Sequence, residues 1–344
     1  MLTNYTYDLT VIIVVYKRTE FIWDALHSVI SQSVSPYRCE VIVVSDTPVD
    51  IPLKNQSPIY AEYEVKSILD TRSSYGLKVA NASRIAKGKI ISILDDDDIF
   101  MPGKLRRIID EFDKDPNLCY IHNGLLIVKS NRPVLKERSG SADSEDLVLN
   151  MSNVSANILK YVLTKRLTFN GSSISFLRNI FGNDYSPLEE LEGTFEDFVF
   201  WYCLFSKKNL KFIFQIYTIY RQHSGNNSST WFKYERRRKM YLRHYSDWSK
   251  MRQFFIFNRK EAYKKFEALF EQEYVHRYMM YSLSTFSRRE ILEALAHFVK
   301  TYALSKKWRY LVILVSTLSL LSPFIGFYLL SVVSSISGII SRAA

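Results

Sequence analysis

The sequence is poor in cysteine. Its 344 residues contain three, and none of them stands in a CxxC pair or in another spacing used for metal ligands: Cys39, Cys119 and Cys203. This count predicts neither a disulfide framework nor a zinc site, and it fits a reducing compartment. No positively charged stretch followed by an apolar core precedes the first strand-like segment, so we expect no cleaved signal peptide.

Glycine-rich phosphate loops are also missing. The first strand-like segment, Leu9 to Tyr16, is followed by Lys17-Arg18-Thr19, where a dinucleotide-binding fold would need a glycine-rich turn. No GxxxxGK[ST] sequence occurs either, which excludes a P-loop. A bound diphosphate would therefore have to be held by something other than a glycine-rich backbone.

The net charge of +11 comes from one part of the chain. Residues 231–309 contain 19 Lys and Arg against 8 Asp and Glu, whereas the other residues contain 27 of each sign. Basic side chains interleaved with aromatic ones could contact nucleic acid phosphates, but an apolar segment follows directly. We therefore favour the headgroups of anionic membrane lipids, or a diphosphate-linked lipid, and expect no nucleic acid partner.

That apolar segment, Tyr310 to Ser341, contains no charged residue and is flanked by Arg309 and Arg342. About 20 apolar residues suffice to span a bilayer as a helix. Residues 309–342 are therefore predicted to form a membrane anchor, either one kinked span or a hairpin that turns near Pro323. The basic residues before it favour a cytosolic position for the preceding domain.

Strands and helices alternate over the first half of the chain, which predicts an α/β fold with a largely parallel sheet. The predicted strands are Leu9–Tyr16, Cys39–Val44, Tyr63–Leu69, Lys89–Leu94, Cys119–Val128 and Leu210–Tyr220. The predicted helices are Thr19–Ser33, Gly76–Gly88, Pro102–Phe112 and Phe195–Ser206, with a helical pattern throughout Trp231–Lys307. Gly140 to Asp146 is predicted to be a loop.

Four consecutive aspartates, Asp95 to Asp98, come directly after an apolar strand. Ligands of open α/β sheets bind at the carboxyl ends of strands, where these like charges would crowd together and need a counter-ion. Carboxylate oxygens are the ligands that Mg²⁺ and Mn²⁺ prefer. The run therefore predicts a divalent metal site able to hold a diphosphate.

Three segments resemble the family 2 glycosyltransferases, inverting enzymes with a GT-A fold: TVIIVVYKR, EVIVVSD and ILDDDDIFMPGKL. The third follows the family's Leu-Asp-Ser-Asp-Asp pattern with a proline and a leucine downstream. The resemblance covers residues 9–128 and implies a Rossmann-like mixed sheet of the GT-A type.

The resemblance also implies site residues. Tyr16 and Asp46 match residues that contact the nucleotide base, Asp95 lies where the ribose or diphosphate is approached, and Asp97 matches the metal-ligating aspartate. Asp98 is expected to support the site. In the second half, Glu196-Asp197 resembles a Glu-Asp pair whose aspartate is the general base, and Tyr220-Arg221-Gln222-His223 resembles a segment whose histidine approaches the diphosphate or the metal.

We therefore predict a GT-A catalytic domain over residues 1–230, a basic helical neck over 231–308 and the membrane anchor over 309–342. The expected reaction moves one sugar, with inversion, from a nucleotide-sugar donor to a hydroxyl of a glycan or lipid-linked acceptor. Mn²⁺ or Mg²⁺ is the expected cofactor. The expected location is the membrane, with the catalytic domain in the cytoplasm.

Three alternatives remain. A processive polysaccharide synthase is disfavoured because the chain lacks a Gln-x-x-Arg-Trp segment. A polyprenyl-phosphate sugar synthase also joins this fold to C-terminal membrane helices, but its usual Asp-Ala-Asp-x-Gln pattern differs from the sequence LDDDDIFMP. A non-catalytic, membrane-associated binding protein on a decayed transferase fold stays open because the first motif departs from the family's Pro-Thr-Tyr-Asn.

Overall fold

A computed structural model describes residues 5–16, 19–49, 63–71, 74–129, 132–138, 145–182, 184–223, 234–285, 287–301 and residue 317. The chain divides into two compact units. The first unit comprises residues 1–154 and 166–229, and the second comprises residues 155–165 and 230–344.

Within the described part of the first unit, ten strands form one mixed sheet. In chain order they are β1 (Tyr7–Val15), β2 (Cys39–Ser45), β3 (Tyr63–Leu69), β4 (Gly88–Asp95), β5 (Ile99–Phe100), β6 (Leu118–Lys129), β7 (Arg132–Arg138), β8 (Leu147–Leu149), β9 (Ile174–Leu177) and β10 (Asn209–Gln222). Eight of them follow the order β3-β2-β1-β4-β9-β6-β10-β5, while β7 pairs with β6 and β8 pairs with β10.

The centre of this sheet is parallel, as predicted. β1 lies between β2 and β4, with Val11 opposite Val41 on one side and Ser92 on the other. Every residue of β2 is buried. Burial on both faces of the sheet explains why the sequences of these strands are continuous runs of β-branched residues. The six predicted strands are all present. The sheet is mixed, as the resemblance implied, because β9 pairs antiparallel with both β4 and β6, although β9 itself was not predicted.

The helices of the first unit are α1 (Ile22–Ile30), α2 (Tyr75–Ile85), α3 (Lys104–Lys114), α5 (Ser186–Glu189) and α6 (Phe195–Leu204), while α4 (Ala156–Thr164) belongs to the second unit. The sequence predicts that helix α3 begins at Pro102, but it begins at Lys104. Gly103 takes a left-handed conformation, with φ of 81°, and so separates the proline from the helix. The three cysteines are free and buried.

Besides α4, the second unit contains the long helices α7 (Tyr234–Asn258), α8 (Lys260–Thr285) and α9 (Arg288–Thr301). Aromatic side chains join α7 to α8, and the rings of Trp248 and Phe270 lie 5.0 Å apart. Among the described residues, no helix is both long and apolar enough to cross a membrane. The predicted anchor at 309–342 lies outside the described residues, apart from Thr317.

His122 on β6 gives a pH-dependent prediction. Its side chain is buried, and its Nε2 lies 2.9 Å from the carbonyl oxygen of Phe169, to which it donates. Burial lowers the pKa of His122 to about 4. As the pH falls, the unfolded chain therefore takes up a proton that the folded chain refuses, and the stability present above pH 6.5 is progressively lost.

We expect the free energy of unfolding to fall by about 2 kcal/mol between pH 7 and pH 5 through this residue alone. The variant His122→Gln keeps an N–H group for Phe169 and removes the titrating ring. Urea denaturation at both pH values should show a smaller pH dependence in the variant. Equal dependence in the two proteins would mean that His122 does not carry the effect.

Candidate functional site

The four aspartates cross the carboxyl edge of the sheet. Asp95 is the last residue of β4, and the backbone N–H of Asp96 donates to the carbonyl of Val14, at the end of β1, over 3.2 Å. The chain then enters β5, where Ile99 pairs antiparallel with Ile219 of β10. The run is thus fixed at both ends by strands of the same sheet.

Three of these aspartates form a carboxylate cluster. One oxygen each from Asp95, Asp97 and Asp98 lies within 4.8 Å of the others. The side chains of Asp97 and Asp98 are buried. Burial, followed by the negative charges of Asp97 and Asp95, raises the pKa of Asp98 well above its ordinary value. Charges crowded in this way favour a bound cation.

Asp98 faces protein donors with both of its oxygens. Its Oδ2 accepts a hydrogen bond from Nδ2 of Asn170 over 3.2 Å, and its Oδ1 accepts one from the backbone N–H of Arg221 over 3.0 Å. These bonds tie the cluster to the segment before β9 and to the end of β10. Asp98 therefore fits a supporting role better than that of a metal ligand.

The segment Asn170 to Ser173 backs the aspartates. Asn170 has φ of 85°, and its Oδ1 accepts from the backbone N–H of Ser172 over 2.7 Å. The Ser172 hydroxyl in turn accepts from the backbone N–H of Asp95 over 2.9 Å. A Cβ atom on Gly171 would lie 2.8 Å from the Tyr75 hydroxyl, so a glycine suits this position.

His223 lies beside the cluster. It follows β10 directly, and its Nε2 is 3.1 Å from Oδ2 of Asp97. The structure thus brings together the predicted metal ligand and the predicted diphosphate-approaching histidine, which are 126 residues apart in the chain.

Tyr16 follows β1, and Asp46 follows the neighbouring strand β2. Both lie close to Lys78, which was not predicted from the sequence. The Lys78 ammonium donates to the carbonyl of Val15 over 2.8 Å, lies 3.3 Å from Oδ2 of Asp46 and lies 5.1 Å from the Tyr16 ring centroid. Lys78 is 1% exposed. Lys78 lies one helical turn before Ala82, on the buried face of α2, and this spacing could have indicated its burial.

Removing the Lys78 ammonium should destabilise the protein. The Lys78 side chain is 1% exposed and that of Asp46 is 9% exposed, so Lys78→Met removes the buried cation of an ion pair that is largely shielded from water. Such a loss lowers the free energy of unfolding by about 3 kcal/mol. Chemical denaturation measures this directly. The matched variant Lys89→Met removes an exposed ion pair with Asp113 and should cost less than about 1 kcal/mol. Equal costs would contradict the buried-pair assignment.

The predicted base, Asp197, is half-buried in the first turn of α6. Tyr75 connects this turn to the aspartates. Its hydroxyl donates to Oδ1 of Asp95 over 2.7 Å, and its ring centroid lies 5.6 Å from that of Phe195. Burial, then the negative charge of Asp95, raises the pKa of Tyr75 well above its ordinary value, and Glu196 adds to the shift. The start of α6 therefore lies within electrostatic reach of the cluster.

A second buried lysine lies behind the run. The Lys104 ammonium donates to the carbonyl of Ser172 over 2.7 Å and to the Thr218 hydroxyl over 3.1 Å, and it lies 3.5 Å from the Phe100 ring centroid. Burial lowers the pKa of Lys104 well below its ordinary value, against the opposing effect of Asp98. Lys104 shares a helical face with Ile108 and Phe112, at spacings of four residues, and this could have signalled its burial.

Comparison with known proteins finds a family match over the residues that contain the aspartate run. Residues 10–166 match the family described as Glycosyl transferase family 2. Residues 10–166 are therefore similar to the family 2 glycosyltransferases. The predicted resemblance is therefore confirmed, and the match extends beyond the 9–128 segment that carried it.

Two curated relatives and one solved structure illustrate the range of similarity. The uncharacterized glycosyltransferase YwdF of Bacillus subtilis (strain 168) is 30% identical over 122 residues, which cover 35% of this chain and 42% of YwdF. The minor teichoic acid biosynthesis protein GgaB of the same organism is 26% identical over 126 residues, which cover 33% of this chain and 13% of GgaB. The match thus spans less than half of either relative. The crystal structure of S. aureus TarS 1-349 in complex with UDP-GlcNAc is 14% identical, with a TM-score of 0.49, covering 86% of this chain and 89% of that chain.

Proposed function

We propose that the first unit transfers a single sugar, with inversion, from a nucleotide-diphosphate sugar to a hydroxyl group of an acceptor. The observation that carries this proposal is the carboxylate cluster of Asp95, Asp97 and Asp98, whose oxygens lie within 4.8 Å of one another at the carboxyl edge of the sheet, within the residues that match the family 2 glycosyltransferases.

The cluster fits a hard divalent cation. Its ligand atoms are carboxylate oxygens, and its concentrated negative charge lies beside protein donors that already bind Asp98. Asp97, with Asp95 beside it, would hold Mn²⁺ or Mg²⁺. When bound, the ion would offset the negative charge that develops on the departing diphosphate. His223, in contact with Asp97, would lie on the same side as the diphosphate.

The donor nucleotide would lie across the ends of β1 and β2. Tyr16 and Asp46 present an aromatic ring and a carboxylate there, and Lys78 holds both of them to the end of β1. This arrangement suits a flat base with donor groups on its edge. Base and diphosphate would then be held by neighbouring strand ends of the same sheet.

The acceptor would be activated by Asp197. In an inverting displacement the acceptor oxygen bonds to the anomeric carbon while the bond to the diphosphate oxygen breaks and the diphosphate departs with the electron pair. The acceptor proton passes to the Asp197 carboxylate, which is the ordinary task of a general base. Tyr75, in contact with both Asp95 and the start of α6, would keep this base in register with the donor site.

For the acceptor we propose a glycan or a lipid-linked glycan at the cytosolic face of a membrane. The support comes from the sequence, where the basic residues of 231–309 precede the uncharged segment from Tyr310 to Ser341. Anionic lipid would bind the basic segment, and residues 309–342 would anchor it.

Thermal unfolding tests the donor site. We expect one nucleotide-diphosphate sugar from a panel to raise the unfolding temperature, more strongly with Mn²⁺ than without, and increasingly with concentration. Adding acceptor glycans to that complex should release the nucleoside diphosphate. If no nucleotide sugar stabilises the protein in Mn²⁺, the proposal fails. Stabilisation without product from any acceptor would favour the non-catalytic binding protein.

A further inference from the structure

Two residues near the start of α1, Phe21 and Asp24, contact the end of β10. The ring centroids of Phe21 and His223 are 4.8 Å apart. The Arg221 guanidinium lies 4.8 Å from the Phe21 ring centroid, and one of its nitrogens is 2.9 Å from Oδ2 of Asp24. Phe21 therefore contacts both Arg221 and His223, and Asp24 fixes the far end of the arginine.

Arg221 and His223, at the end of β10, also contact the carboxylate cluster. The backbone N–H of Arg221 donates to Asp98, and Nε2 of His223 contacts Asp97. Arg221 and His223 thus stand between α1 and the aspartates. These contacts give Phe21 and Asp24 a route to the cluster through the end of β10.

We propose that Phe21 and Asp24 are positioning residues, which set the geometry of the Asp97–His223 pair and thereby the affinity of the metal site. The inference rests on the proposed function, because it assumes that the cluster binds a divalent cation. The Asp24 side chain is 59% exposed, so its ion pair with Arg221 should have a small effect on metal affinity. The Phe21 ring contacts the histidine directly and should have the larger effect.

A double-mutant cycle between Phe21 and His223 tests the proposal, with Mn²⁺ alone as the probe and isothermal titration as the measurement. In the full-length chain, Phe21→Leu should weaken Mn²⁺ binding about threefold to tenfold, and Asp24→Asn by about twofold. In a His223→Ala background, Phe21→Leu should have almost no further effect, because its contribution passes through the missing ring.

The matched control is Trp23→Ala. Trp23 lies on the same turn of α1 and is 46% exposed, and this variant should bind Mn²⁺ as the wild type does. Because Phe21 is only half-buried, Phe21→Leu should keep a normal thermal unfolding temperature. The conservative variant Asp24→Glu should retain wild-type affinity.

The outcomes separate the two proposals. If the wild type does not bind Mn²⁺, the proposed metal site is wrong and the positioning role falls with it. If the wild type binds Mn²⁺ and Phe21→Leu weakens binding equally with and without His223, only the positioning role is overturned. An equal loss in Trp23→Ala would also overturn it, because the effect would then belong to the whole turn.

Discussion

Replacing Asp197 with asparagine is expected to lower the rate constant of sugar transfer by about 10²-fold to 10⁴-fold, the usual contribution of a general base. An amide cannot accept the acceptor proton, yet it has almost the same size and can keep the hydrogen bonds of the first turn of α6. Donor and Mn²⁺ affinity should therefore stay close to wild type. The measurement is the single-turnover rate with the donor bound in excess of its dissociation constant.

Glu196→Gln provides the matched control. Glu196 precedes Asp197 in the same first turn of α6 and is also half-buried. The control removes one carboxylate from this turn and leaves the proposed base intact, so its rate should remain within about tenfold of wild type. A larger loss in Glu196→Gln than in Asp197→Asn would assign the base to the glutamate instead.

Replacing Asp97 with asparagine is expected to abolish Mn²⁺ binding in titration and to lower the transfer rate by about 10³-fold. The reason is electrostatic. A metal site that stabilises a departing diphosphate contributes several kcal/mol to the transition state, and 1.4 kcal/mol corresponds to about a factor of ten in rate. An amide oxygen is a weaker ligand than a carboxylate, and one of the three clustered carboxylates is removed.

Asp113→Asn is the control for this variant, since it makes the same chemical change at an exposed ion pair with Lys89. It should bind Mn²⁺ normally. Equal transfer rates for wild type and Asp97→Asn would rule out a metal-dependent mechanism at this cluster, whatever the donor.

The strands that place the site were predictable from sequence because each is a local pattern. β1, β2 and β4 are buried runs of β-branched residues, and polar residues follow directly where each strand ends. Position at the carboxyl edge then brings Tyr16, Asp46 and Asp95 to one side of the sheet. The antiparallel β9 was missed because four residues give too little pattern to identify a strand, and its place between β4 and β6 depends on pairing partners far away in the chain.

The buried lysines show a different limit. Lys78 and Lys104 belong to a residue type that is almost never fully buried, so their chemistry argues for the surface even though their helical spacing argues for the core. What makes their burial possible is the set of acceptors that other segments supply. For Lys78 these are the Val15 carbonyl and Asp46, and for Lys104 they are the Ser172 carbonyl and Thr218. Such partners are known only once the fold is known.

The pairing of β5 with β10 has a geometric consequence for the aspartate run. In strand order β4 and β5 are four places apart, which in a flat sheet would be about 19 Å. The chain from Asp95 to Ile99 can reach at most about 14 Å, even fully extended. The sheet must therefore be curved, so that the short aspartate run can connect the end of β4 to β5. Inserting one residue into the run would let β4 and β5 move apart, whereas deleting one residue would force these two strands closer together.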